Sequence, residues 1–123
     1  MIYQFWGKVI HGKNRGKLLG FPTANLRLHK IVPRGIYISN TKFNNKWYRS
    51  LSFVGIAKTF DETEVHAESY IFDYYVNLYG KWISIKLLKK IRDTKKFASK
   101  GELIKQIKKD EKETLEYFNK HTP

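Results

Sequence analysis

The chain has 123 residues, 41% of them hydrophobic, with eight Tyr, eight Phe, three Trp and no Cys, enough bulky apolar surface for one core and none of the chemistry of disulfides or thiolate metal sites. Twenty-four Lys and Arg against eleven Asp and Glu leave a formal charge of +13. No apolar run approaches the roughly 18 residues that would span a bilayer, and the first residues do not form a charged-then-apolar signal peptide. A soluble, cytoplasmic, monomeric protein with one domain over residues 1–123 is expected.

The surplus charge raises the question of nucleic acid. Most of it is Lys, it is spread from Lys8 to Lys120, and its densest part, Lys86 to Lys109, includes what reads as the solvated side of a helix. That spread argues against a dedicated nucleic-acid partner, while a basic surface would still draw in a polyanionic nucleotide.

Along the chain, short stretches rich in β-branched and aromatic residues alternate with Gly, Asn and Pro, the pattern of an all-β barrel or sandwich. Strands are predicted at Tyr3 to Ile10, Gly35 to Asn40, Lys46 to Val54, Ala67 to Asp73 and Trp82 to Leu88. Between the first two lies a glycine-rich basic approach (Gly12, Arg15, Gly16, Lys17, Gly20) leading into Leu-Gly-Phe-Pro-Thr-Ala-Asn-Leu at 19–26. Free backbone N–H groups with fixed positive charge suit phosphate. Thr23 and Asn25 are neutral oxygen donors that suit a hard cation, and on an extended segment they point the same way. This is not the P-loop of the common NTPases, because Gly12 and Gly16 enclose three residues instead of four and Lys17 is followed by Leu18. A tight turn would use the same Pro, Thr and Asn.

Pro33-Arg34-Gly35 reads as a turn into the next strand, and Asn44-Asn45 as a hairpin turn. Tyr79-Gly80-Lys81 reads as a second hairpin turn, joining the Glu68 strand to the Ile83, Ile85, Leu87 alternation. In the last quarter the period changes. Ser99 and Glu102 form a capping box, and Leu103, Ile107, Leu115 and Phe118 then fall near one face of a helix, opposite Lys105, Lys108, Lys109, Glu111, Lys112 and Glu113. The four His, at 11, 29, 66 and 121, have no ligand-like spacing, so no zinc site or His-based triad is predicted.

Several of these landmarks belong together. The Gly-rich loop running into Pro22-Thr23-Ala24-Asn25, then Gly35-Ile36-Tyr37, Val54-Gly55, Thr59-Phe60, Glu68 to Asp73, Leu78-Tyr79-Gly80, Lys90-Ile91-Arg92 and Phe97-Ala98-Ser99 occur in the order and with the gaps of the riboflavin kinases. The chain resembles that family from about Val9 to Asp110. The resemblance implies a six-stranded antiparallel Greek-key barrel over about 1–98 with a C-terminal helix over about 100–119. It also implies transfer of the γ-phosphoryl of ATP to the ribityl 5′-hydroxyl of riboflavin, giving FMN and ADP.

It assigns roles residue by residue. The family's functional Glu opens a strand, has His or Tyr two residues on and precedes Leu-Tyr-Gly by about ten; among Glu62, Glu64 and Glu68 only Glu68 fits, as general base. Thr23 and Asn25 become Mg²⁺ ligands, Thr23 also touching the nucleotide phosphates. Gly12, Lys17, Ile71, Asp73 and Tyr79 match nucleotide positions, though Ile71 reads equally as core and Tyr79 as turn. Arg92, Lys95 and Phe97 match a mobile flavin-side flap, where Phe97 can lie on the isoalloxazine ring and Arg92 can meet phosphate; Lys96 could take the place of Lys95. Two positions depart from the family: Phe53 stands where Asn is usual and Lys58 where Pro is usual. Bacterial relatives carry this module behind a nucleotidyltransferase domain that makes FAD, so the chain reads as a stand-alone kinase or a piece of a longer one. The rival reading is a non-catalytic small barrel that binds flavin, nucleotide or RNA through its basic face.

Overall fold

The computed structural model describes residues 3–10, 23–58, 63–72 and 77–121. Six strands appear in chain order: β1 (Tyr3–Lys8), β2 (Thr23–Arg27), β3 (Gly35–Phe43), β4 (Lys46–Lys58), β5 (Thr63–Ile71) and β6 (Trp82–Arg92), followed by helix α1 (Lys100–His121). Asn44 and Asn45 take φ of 55° and 65°, the left-handed pair of a type I′ turn, and fold β4 back on β3 in unbroken register from Phe43↔Lys46 to Gly35↔Val54.

The sheet runs β1-β6-β3-β4-β5-β2, and every pairing is antiparallel. Its two edges meet where the Ile10 N–H donates to the Asn25 carbonyl at 2.8 Å, so the sheet curls into a barrel. The connections from β2 to β3 and from β5 to β6 cross between non-adjacent strands, as in a Greek key.

That topology corrects one expectation. Tyr79-Gly80-Lys81 is a turn, but not a hairpin between β5 and β6, because β4 and β2 already occupy both edges of β5. The turn docks instead on the end of β1: the Gly80 N–H donates to the Val9 carbonyl at 3.0 Å and the Val9 N–H to the Lys81 carbonyl at 2.8 Å.

Alternation along each strand builds two apolar layers. Phe5, Leu26, Tyr37, Val54, Ala67, Ile71, Ile83, Ile85 and Leu87 fill the barrel. Ile36, Leu51, Phe53, Tyr70 and Phe72 form an outer layer with Ile107 of α1. Ser39, Thr41, Ser50, Ser52 and Ser69 are wholly buried. They exchange hydroxyl hydrogen bonds of 2.7 to 2.9 Å, which offsets the desolvation of each.

The helix starts at the capping box: Ser99 Oγ accepts from the Glu102 N–H and Glu102 Oε2 from the Ala98 N–H, each at 3.2 Å. Leu103, Ile107, Asp110, Thr114 and Phe118 face inward in the i, i+3/i+4 rhythm. β6 continues past the predicted Leu88 to Arg92 because two register shifts against β3 step over Leu88 and Ile91. Such bulges break the period of two that marks a strand in sequence. The backbones are tightly apposed here, and a Cβ on Gly35 would lie 3.1 Å from the Arg92 carbonyl oxygen.

Candidate active site on the outer wall of the barrel

Asn25 on β2 lies directly opposite Glu68 on β5, Glu68 opposite Phe53 on β4, Phe53 opposite Ile36 on β3, and Ile36 opposite Arg92 on β6. Residues directly opposite share a face, so one row crosses five strands. With neighbouring strands about 4.8 Å apart, it runs about 19 Å along the curved outer wall. Its two ends hold the two groups of residues singled out in the sequence.

At the first end, Ala24 and Leu26 pack inside the barrel, which leaves Thr23 and Asn25 on the outer face of β2. Thr23 is half-buried, and Asn25 and Glu68 are each 3% exposed. Thr23 is opposite Tyr70, so hydroxyl, amide and carboxylate occupy adjoining positions of a two-by-two patch. Two residues along β5 from Glu68, His66 Nε2 lies 2.9 Å from Glu64 Oε2, which also accepts from Arg27 Nε at 3.1 Å. The His66 hydrogen bond, more than the Arg27 charge, lowers the Glu64 pKa below its ordinary value. This tethered carboxylate leaves Glu68 as the acid of β5 that lies directly opposite Asn25 in register.

At the other end, the Phe97 ring has Lys95 Nζ at 5.2 Å and the Arg92 guanidinium at 5.9 Å from its centroid, within cation–π range. The three flavin-side residues named from the sequence thus form one cluster. Arg92 also clasps Asp110 of α1 bidentately, Nε to Oδ1 at 2.9 Å and Nη2 to Oδ2 at 2.7 Å, and Gln106 Nε2 donates to the same Oδ1 at 3.0 Å. Phe53, Val54, Gly55, Thr94, Lys95 and Phe97 line a pocket of about 60 Å³ beside Arg92. Phe53, which replaces the family's usual Asn, therefore stands between the Glu68 patch and this pocket, with its ring 5.1 Å from that of Tyr70.

Ile71 points its side chain into the barrel and is 1% exposed, so only its backbone is available to a ligand on the outer wall. Tyr79 is 53% exposed on the turn held by Val9; Val9 adjoins Ile10, which bonds Asn25, so Tyr79 stands near the Asn25 end. Gly12, Lys17, Asp73 and the Lys58 side chain lie outside the described residues. Sequence reasoning missed Asp110. The signal was available: an acid in phase with Leu103, Ile107 and Phe118 on the apolar stripe of a helix, where a charge requires a partner.

Fold and site define a class: a small antiparallel barrel whose outer wall carries a carboxylate opposite an amide at one end and a cationic aromatic pocket at the other, beside helix α1. The chain belongs to the riboflavin kinase family, whose model, Flavokinase, matches residues 1–118. It is 39% identical to the bifunctional riboflavin kinase/FMN adenylyltransferase of Buchnera aphidicola, over 98% of this chain and 40% of that protein. It is 37% identical to the protein of the same description in Bacillus subtilis, over 95% of this chain and 39% of that one. A crystal structure described as a macrolide-efflux protein of Streptococcus pneumoniae superposes with a TM-score of 0.79 at 38% identity, covering 90% of this chain and 38% of that one. The chain thus spans about two fifths of the length of these two curated relatives. No helix among the described residues is long and apolar enough to cross a membrane.

Proposed function

We propose that the chain transfers the γ-phosphoryl group of ATP to the ribityl 5′-hydroxyl of riboflavin, with Glu68 as the base and Arg92, Lys95 and Phe97 on the flavin side. The observation that carries this reading is the five-strand row. It sets a carboxylate against neutral oxygen donors at one end and a cationic aromatic pocket at the other, the layout needed by a substrate with a reacting hydroxyl at one end and a flat ring system at the other.

Glu68 orients the attacking hydroxyl and accepts its proton as the bond to phosphorus forms and the bond to the leaving ADP oxygen breaks. In a loose phosphoryl-transfer transition state the nucleophile needs little activation, so placing the hydroxyl in line supplies more than the base's strength does. Glu68 is 3% exposed, and keeping water from it limits competition for the phosphoryl group.

The donor set at Thr23 and Asn25 fits Mg²⁺, a hard ion that keeps most of its shell for water and phosphate and takes only one or two protein oxygens. No cluster of three His, Asp or Glu is needed, and none occurs among the described residues. When bound, the ion would neutralise charge on the β- and γ-phosphates. Gly12, Lys17, Asp73 and Tyr79 complete the proposed nucleotide side.

Small-molecule sites usually enclose roughly 300–1,000 Å³, well above the pocket of about 60 Å³ beside Phe97. Residues 93–99 have no regular secondary structure and form the segment that moves aside for the flavin ring. The deciding experiment incubates the protein with riboflavin, ATP and Mg²⁺ and separates FMN by chromatography. FMN formation is expected; tight binding of both substrates without product would instead establish a non-catalytic barrel.

A further inference from the structure

All three tryptophans of the chain are exposed on one stretch of outer wall, far in register from the Glu68 row: Trp6 is 74%, Trp82 65% and Trp47 41% accessible. Trp6 is opposite Ser84, Ser84 opposite Lys42, and Lys42 opposite Trp47, so they form one row across β1, β6, β3 and β4. Trp82 is opposite Lys8. Trp6 and Trp82 are therefore diagonal cross-strand neighbours, about 7–8 Å apart, a gap in which one flat ring can meet both indoles. An open groove of about 400 Å³ lies between them, lined also by Lys42, Asn44, Asn45, Ile83 and Ser84. Lys42 Nζ sits 5.7 Å from the Trp47 ring centroid.

The charge around this groove has one sign. Among the described residues, β1, β3, β4 and β6 contain no Asp or Glu, and on the groove face they present Lys8, Lys42 and Lys86. The acids of the chain lie on β5, from Asp93 onward, or outside the described residues. Each exposed indole keeps a large apolar area in water, and clustered lysines repel one another. A ligand that removes both costs has flat apolar faces and a repeating negative charge.

We propose that this wall binds single-stranded nucleic acid, a partner the spread of Lys along the sequence argued against, because strand pairing gathers Lys8, Lys42 and Lys86 beside the tryptophans. Unpaired bases stack on Trp6 and Trp82, the groove amides and Ser84 meet base edges, and Lys8, Lys42 and Lys86 neutralise phosphates. A duplex would present no free base faces to the indoles. The site is independent of the proposed kinase reading, since none of its residues belongs to the Glu68 row or the Phe97 pocket.

Because every tryptophan of the chain is in this patch, intrinsic fluorescence reads the site directly. Titrating the full chain with an oligothymidylate of about ten nucleotides should quench it, with affinity falling as salt rises at about −0.7 in log–log slope per phosphate neutralised, giving a slope of about −2 for three lysines. Trp6→Ala and Trp82→Ala should each weaken binding about fivefold or more, the contribution of a stacked base. Lys42→Glu should weaken binding and flatten the salt dependence. Lys105→Glu, on the exposed face of α1, should change neither, and circular dichroism should report the same fold for all. Four results would each overturn the proposal: no quenching at low salt, Trp82→Ala binding as tightly as wild type, thymidine monophosphate binding as tightly as the strand, or Lys105→Glu weakening binding as much as Lys42→Glu. It also falls if the strand does not bind while the same tryptophans seat on vesicles of phosphatidylglycerol and phosphatidylcholine, or hold together a dimer that Trp82→Ala dissociates.

Discussion

Asn25 and Glu68 are direct cross-strand partners, and both are almost wholly buried. A carboxylate and a carboxamide at directly opposite positions of two paired strands have their spacing set by the ladder, so the proposed chemistry should depend on each side chain separately. Glu68→Gln, nearly the same shape, should lower kcat by about 10²–10⁴-fold, the range of a lost general base, while ADP binding and the Mg²⁺ requirement stay as in wild type. Asn25→Ala should do the reverse, raising the Mg²⁺ concentration for half-maximal rate about tenfold or more. Initial rates across a Mg²⁺ series separate the two, and equal effects from both variants would refute the assigned roles.

Arg92 and Asp110 tie the end of β6 to α1 through a bidentate ion pair whose acid is 3% and whose base is 17% accessible. Removing one partner of a buried pair leaves an uncompensated charge and costs about 3–5 kcal/mol; with Arg92 still reaching water, about 2 kcal/mol is expected for Asp110→Ala. Urea denaturation should show that loss. Asp110→Ala should also raise KM for riboflavin more than KM for ATP, because Arg92 loses the clasp that holds it beside Phe97.

Asn44 and Asn45 both occupy left-handed backbone. Asn44→Gly should leave stability within a few tenths of a kcal/mol, whereas Asn44→Val should cost about 1–2 kcal/mol, since a β-branched residue cannot adopt positive φ without a clash. Thermal melts of the two variants make the comparison, and equal melting temperatures would contradict it.

Tyr37 donates its hydroxyl to the Pro33 carbonyl at 2.6 Å. Burial is the main cause that raises its pKa above the ordinary 10.0, with Lys90 pulling the other way. The folded state therefore favours the neutral phenol more than the unfolded chain does. The corresponding stability is intact below pH 10 and is lost as pH rises through the folded-state pKa. Tyr37→Phe should lose about 1 kcal/mol at neutral pH with the hydrogen bond and show a shallower alkaline fall in stability than wild type. An alkaline limb unchanged by the substitution would assign it to other groups.

Short-range order was legible in the chain. Asn44-Asn45, the Ser99 to Glu102 box and the Leu103, Ile107, Phe118 rhythm each lie within one continuous segment of chain, where local sterics, hydrogen bonding and helical periodicity decide the outcome. The family landmarks carried the fold class and the choice of Glu68 over Glu62 and Glu64 further than periodicity alone could. The Tyr79-Gly80 turn shows the limit: its residues announce a reversal of the chain but not which strand receives it. The end of β6 shows another, because its two bulges erase the alternation that marks a strand.

What the amino-acid order determined by itself was therefore five of the six strands and the helix in their order along the chain, and the family to which their spacing belongs; β2 read only as an extended segment that a tight turn would fit as well. Only the tertiary structure decided which strands are neighbours. On that pairing depend the row from Asn25 through Glu68 and Phe53 to Arg92, the burial of Asp110 against it, and the gathering of Trp6, Trp47 and Trp82 on strands that carry no acid among the described residues. The physical reason is that strand register is set by summed packing and hydrogen bonding between segments far apart in the chain, and no local pattern encodes that sum.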